Sequence, residues 1–175
     1  MYVYQGEEVG LWEVEDIPDE LRQDPIWHRT GGADPGRDGS RVPLPWSGLE
    51  PPFGFTAGEP WLPQPKEWRE LTVEAQSAEA QSAEAQPGSM LALYRRALRI
   101  RRAEFAAAAM TWLPAPGGVL AFDRGDVACV VNLSPVPVEL PAGELLLASG
   151  PLSGDPLSGG LLPPDTSAWV RTVSR

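Results

Sequence analysis

The residues able to do chemistry here are few in kind. Glu7, Glu8, Glu13, Glu15, Asp16, Asp19 and Glu20 form an acidic run with no basic residue before Arg22. Paired carboxylates are the machinery of glycoside hydrolysis: one protonates the leaving oxygen while the other attacks or activates water. Glu7 and Glu8 are neighbours, however, and neighbouring side chains on a strand point to opposite faces, so they make a poor facing pair. The run reads better as a solvated acidic loop holding one or two structural acids. His28 is the only histidine and Cys129 the only cysteine. One of each excludes an internal disulfide and cannot build a common zinc site. His28 sits in a tryptophan-rich loop and Cys129 far along in an apolar run, so His28 is expected to be a loop hydrogen-bonder rather than a general base. There is no G-x-S-x-G elbow, and Gly31-Gly32 and Gly117-Gly118 read as turns, not as a phosphate-cradling loop after a strand. No catalytic residue, metal site or cofactor site can be assigned.

The elements that would position such groups are unusual in composition. Ten of the 20 prolines fall between Pro18 and Pro65, and five of the seven tryptophans lie between Trp12 and Trp68. Proline fixes φ and removes a donor, so this stretch should be extended and loop-like. Disorder goes with few aromatics, so the tryptophans argue for an ordered loop packed on something. Its span of some sixty residues far exceeds the roughly 12–15 of a structureless loop, which favours a functional role. The formal net charge of −10 argues against nucleic acid, whose binding relies on neutralising phosphates. No apolar stretch approaches the ~20 residues of a membrane span. No basic-then-apolar leader is visible at the N-terminus, so a cytoplasmic setting is the default.

Met1 to Tyr4, short and aromatic, is expected to be a strand closed by the polar turn Gln5-Gly6-Glu7-Glu8. Val73 to Pro87 is a pentad repeat of good helix formers. Each five-residue step advances ~140°, so no single apolar face results, and the repeat reads as a surface expansion. Ser89 to about Arg102 is the clearest helix: Ser89 can cap it, and Met90, Leu93, Tyr94, Ala97 and Leu98 recur at the spacing of one buried face. Arg95, Arg96, Arg99, Arg101 and Arg102 crowd its C-terminal half, where cations complement the macrodipole, and read as a solvated face. Beyond Trp112 the runs become short and β-like. Val119 to Asp123 and Val127 to Leu133 flank the turn Arg124-Gly125-Asp126. Further strands are expected over Val136 to Leu140, Glu144 to Ser149 and Ser167 to Val173, giving an antiparallel sheet or small sandwich. The boundary between the two regions falls near residues 106 to 112.

Three segments, in this order, carry a resemblance: Tyr4-Gln5-Gly6-Glu7-Glu8-Val9-Gly10-Leu11, then Gly36-Arg37-Asp38-Gly39-Ser40-Arg41-Val42-Pro43-Leu44-Pro45-Trp46, then Met90-Leu91-Ala92-Leu93-Tyr94-Arg95-Arg96. Together they strongly resemble glycoside hydrolase family 13, the α-amylase family, and within it the bacterial α-glucosidase and oligo-1,6-glucosidase branch. The resemblance implies an α/β fragment plus an all-β part. Residues 1–110 would be the last strand, the long cleft loop and the last helix of a (β/α)8 barrel, and residues 111–175 a small antiparallel C-terminal β domain. Active sites of such barrels sit at the C-terminal ends of the strands, in the loops that follow. The resemblance makes Arg41 a substrate-contacting arginine near the leaving-group subsite, flanked by Arg37 and Asp38. A salt bridge holding the loop is the alternative role for Arg41. Two departures stand out: the family's glutamine in R-T-P-M-Q-W is Pro45 here, and the pentad repeat is inserted before the helix.

In that family the nucleophile, the acid/base and the transition-state-stabilising aspartate lie on earlier strands, so none maps onto this chain. The expectation is therefore a C-terminal part of an α-glucosidase-like glycoside hydrolase. The full-length parent would cleave α-glucoside oligosaccharides with retention, while the isolated chain would be inactive. Rival expectations are a stand-alone carbohydrate-binding or partner-binding β module, a trehalose synthase or sucrose-processing relative, and a non-functional remnant.

Overall fold

The computed structural model describes residues 2–77, 88–105, 109–154 and 160–172. The chain divides into two compact units, residues 1–79 with 89–91 and residues 80–88 with 92–175.

The first unit is built of short turns and helices rather than long elements. Three-residue 3-10 turns cover Glu7–Val9 and Asp19–Leu21, and longer ones Asp38–Arg41 and Lys66–Glu70. Helix α1 is Pro25–Thr30 and helix α2 is Val73–Ser77. Ten prolines removing donors disfavour a strand ladder across this stretch, and none forms among the described residues. Order comes instead from an apolar cluster of Val14, Ile17, Val42, Phe53, Leu62 and Trp68. The proline- and tryptophan-rich loop is thus ordered, as its composition predicts. Tyr2 to Tyr4 is the exception to expectation: the segment pairs with no strand among the described residues and is exposed. Aromatic, β-prone residues form a strand only where a neighbouring ladder receives them. Of the pentad repeat, Val73–Ser77 is helical, and residues 78–87 lie outside the described ones.

Gln76 clamps this unit. Its Nε2 donates to the Val9 carbonyl at 2.9 Å, and its Oε1 accepts from the Leu91 N–H at 2.9 Å. The side chain is buried, so both groups would otherwise lack partners.

In the second unit, helix α3 spans Met90–Glu104, its first two residues grouping with the first unit. Leu93, Ala97, Ile100 and Phe105 pack with Val127, Cys129, Leu146, Leu147 and Trp169. The expected stripe was wrong by part of a turn: Met90 and Leu98 are exposed, while Leu91, Ala92 and Ile100 are buried. A helix with leucine or isoleucine at 91, 93, 98 and 100 offers two apolar stripes, and packing chooses between them. Strands β1 Met110–Trp112, β2 Val119–Arg124, β3 Val127–Asn132, β5 Gly143–Ala148 and β7 Thr166–Thr172 form an antiparallel sheet in the order β1-β2-β3-β7-β5. Strands β4 Val138–Glu139 and β6 Leu161–Leu162 pair separately. The β2–β3 turn is Gly125-Asp126, with Arg124 already in the ladder opposite Val127 and Gly125 at φ 64°. One face of the sheet buries Ala121, Val130, Ala168 and Val170 with Leu140 and Leu162; the other meets α3.

Candidate functional site

The site grows from two aspartates that hold a loop closed. Asp24 caps α1, its Oδ1 accepting from the Ile26 N–H at 3.0 Å, with Pro25 at the first helical position where a missing donor costs nothing. Its Oδ2 accepts from the Arg37 N–H at 3.1 Å and pairs with Arg41 Nη1, also at 3.1 Å. Asp38 is 0% exposed. Its Oδ2 accepts from the Gln23 and Asp24 N–H groups at 2.7 and 2.9 Å, and its Oδ1 meets Arg41 Nη1 at 3.3 Å. Two carboxylates therefore share one guanidinium nitrogen. Two glycines make the closure sterically feasible. A Cβ on Gly36 would overlap the Asp24 side chain, and one on Gly39 would fall on the Val14 carbonyl oxygen.

These contacts fix the chemistry open to the cluster. The backbone bond from Ile26 is the main force lowering the Asp24 carboxyl below its usual range; burial opposes it, and the Arg37 N–H and Arg41 assist. A proton donor needs a raised pKa, so Asp24 is a structural acceptor. Arg41 stays about two-fifths exposed, its side chain at 41%. With Arg29 and Arg37 it lines an open concavity of about 460 Å³, together with Asp24, Asp34 and Ile26. Both arginines singled out in the sequence thus meet in one place. Arg41 also makes the loop-holding ion pair that was its alternative role.

Other sequence candidates go elsewhere. Glu7 and Glu8 lie in a 3-10 turn, not on a strand, and Glu8 Oε2 accepts the Gly6 N–H at 2.9 Å. His28 is exposed on α1 and does not line the concavity. Pro45 is buried, and its carbonyl accepts from Val73 at 3.1 Å, so this position serves as a brace for α2. Among the described residues no tryptophan lines the arginine-rich concavity. Asp24 was not foreseen; the Asp-Pro pair at residues 24–25 was its signal, an N-cap followed by proline. Among the described residues no group of three His, Cys, Asp or Glu side chains could hold a metal, and no helix is long and apolar enough to cross a membrane.

Residues 1–109 match the family model described as alpha amylase, catalytic domain, and residues 105–169 match a domain of unknown function, DUF3459. The chain is 36% identical over 138 residues to a probable alpha-glucosidase from Rhizobium meliloti, covering 75% of this chain and 23% of that protein. It is 32% identical over 118 residues to the oligo-1,6-glucosidase of Parageobacillus thermoglucosidasius, covering 58% of this chain and 20% of that protein. It thus spans about a fifth of the length of the curated relatives it matches. Among solved structures, an alpha-glucosyl transfer enzyme, XgtA, superposes with a TM-score of 0.70 at 32% identity, over 97% of this chain and 32% of that one.

Proposed function

The chain belongs to the α-amylase family across its catalytic-domain match, and we propose that it forms the C-terminal part of an α-glucosidase-like glycoside hydrolase. In this reading residues 1–110 complete the rim of a (β/α)8 barrel and residues 111–175 form its C-terminal β domain. The substrate is a carbohydrate, in keeping with glucosidase relatives, and specifically an α-glucoside oligosaccharide. The carboxylates that break the glycosidic bond come from outside these residues, and the chain supplies positioned donors. The single buried cysteine accords with a cytoplasmic setting.

The observation that carries this reading is the clamp on Arg41. Its Nη1 is engaged by Asp24 and Asp38, which leaves Nε and Nη2 to donate to sugar hydroxyls from a fixed position. A planar guanidinium already oriented loses little freedom when it binds. Arg37 adds a second donor on the same concavity, its backbone held by Asp24. The test is hydrolysis of a chromogenic α-glucoside by the purified chain. None is expected above the buffer rate, because Asp24 and Asp38 are committed acceptors; turnover by substoichiometric chain overturns the reading.

A further inference from the structure

Two of the tryptophans absent from the arginine-rich concavity line two others in the same unit. One, of about 380 Å³, is lined by Trp12, Glu15, Asp16, Gln64 and Glu67 among others. The second, of about 340 Å³, is lined by Trp61, Glu59, Gln64 and several prolines. They share Pro63 and Gln64, and neither shares a residue with the Arg41 concavity.

Both indoles are fixed yet accessible. Trp12 is 48% exposed and meets the buried Trp68 edge-on at 6.0 Å. Trp61 is 44% exposed, and its Nε1 donates to the Leu21 carbonyl at 3.0 Å. At the shared wall Gln64 is 6% exposed; its Nε2 is held by the Pro43 carbonyl at 2.9 Å, while its Oε1 has no partner among the described residues. A buried acceptor without a donor is costly unless something satisfies it. Among the described residues, every ionisable group lining the two concavities is a carboxylate, with no lysine or arginine. Such a surface repels anions and receives donors.

We propose that these two concavities form a binding site for a neutral gluco-oligosaccharide, with one ring stacked on Trp12 and another on Trp61. The apolar face of a pyranose suits an indole, and its hydroxyls can donate to Glu15, Asp16, Glu59, Glu67 and Gln64. A quaternary ammonium would satisfy the carboxylates and an indole, but it has no donor for Gln64 and no second ring for the second tryptophan. The site lies beyond the Arg41 reading and depends on none of its residues.

The test is calorimetric titration of maltotetraose into the full chain and into Trp61→Ala, Trp12→Ala and Trp12→Phe, with folding verified by circular dichroism. Saturable binding is expected, weakened roughly tenfold or more by either alanine, as for buried aromatic anchors. Trp12→Phe, which keeps a ring on Trp68, should bind much nearer to wild type; if Trp12→Ala fails to fold, Trp61→Ala decides the matter. Three results overturn the inference: no saturable binding by the folded wild type, wild-type binding by Trp61→Ala or by a folded Trp12→Ala, or saturation by tetramethylammonium in preference to the sugar. Binding lost in Arg37→Ala but kept in the tryptophan variants would instead assign the sugar to the arginine-lined concavity. That outcome sinks this inference and leaves the preceding reading standing, which rises or falls on hydrolysis assays.

Discussion

Replacing Asp38 by alanine removes the acceptor on which the loop around Arg41 closes. The side chain is 0% exposed, and it receives two backbone N–H groups at 2.7 and 2.9 Å. Hydrogen bonds to a charged acceptor contribute about 1.5–3 kcal/mol each, and a buried N–H left without a partner costs a similar amount. The Arg41 pair adds little, since that side chain is partly solvated. The sum is a destabilisation of about 3–5 kcal/mol. Five of the seven tryptophans lie between residues 12 and 68, so intrinsic fluorescence reports this unit during urea unfolding. With a slope of about 1–2 kcal/mol per molar for a unit of this size, the midpoint should fall by roughly 1.5 M or more. Asp38→Asn keeps an oxygen for the two N–H groups and should lose far less. A midpoint in Asp38→Ala within about 0.3 M of wild type would refute the view that this carboxylate organises the loop.

Three further outcomes follow from the same contacts. The Asp24 carboxyl is held below its usual pKa; its contribution to stability should be fully present above the unfolded value near 3.9 and disappear as pH falls through the folded value. Urea midpoints of wild type and Asp24→Asn should accordingly converge with acidification below about pH 4, and a gap that stays constant to pH 2 contradicts this. Burial pushes the Cys129 thiol up to about 12, so a disulfide reagent at pH 8 should label it only in urea; rapid labelling of the native chain refutes the packing against α3. Gln76→Leu strips partners from the Val9 carbonyl and the Leu91 N–H and should cost about 2–4 kcal/mol in the same unfolding assay, with a loss under about 0.5 kcal/mol counting against the clamp.

The sequence was most readable where one local rule decided the outcome. Val119 to Asp123 and Val127 to Leu133 flank a glycine turn, and the hairpin forms as written, extended by Arg124 into the ladder. Strand β1 was not legible because all three of its residues are exposed, so no alternation of burial betrays it. The face of α3 was misread because the helix carries apolar residues on two stripes and only packing selects between them. At the site, Arg37 and Arg41 were visible through their motif. The clamp was not, because Asp24 reaches Arg41 from 17 residues earlier along a loop that has no periodicity to read. The separation of tryptophans from arginines was equally hidden: composition placed them in one loop, and turn geometry sent them to different concavities.

The central claim is that this chain supplies positioned donors to an α-glucosidase rather than the reacting groups. It is tested most directly by substituting residues 1–175 for the matching segment of the Rhizobium meliloti protein, 36% identical over 138 residues, and measuring kcat/KM on an α-glucoside with and without Arg41→Lys. That substitution keeps the charge beside Asp24 and Asp38 but removes the planar fork. The expected result is an active chimera whose kcat/KM falls by about tenfold or more in Arg41→Lys, with its melting temperature nearly unchanged. A folded chimera without activity, or one indifferent to Arg41→Lys, would contradict it.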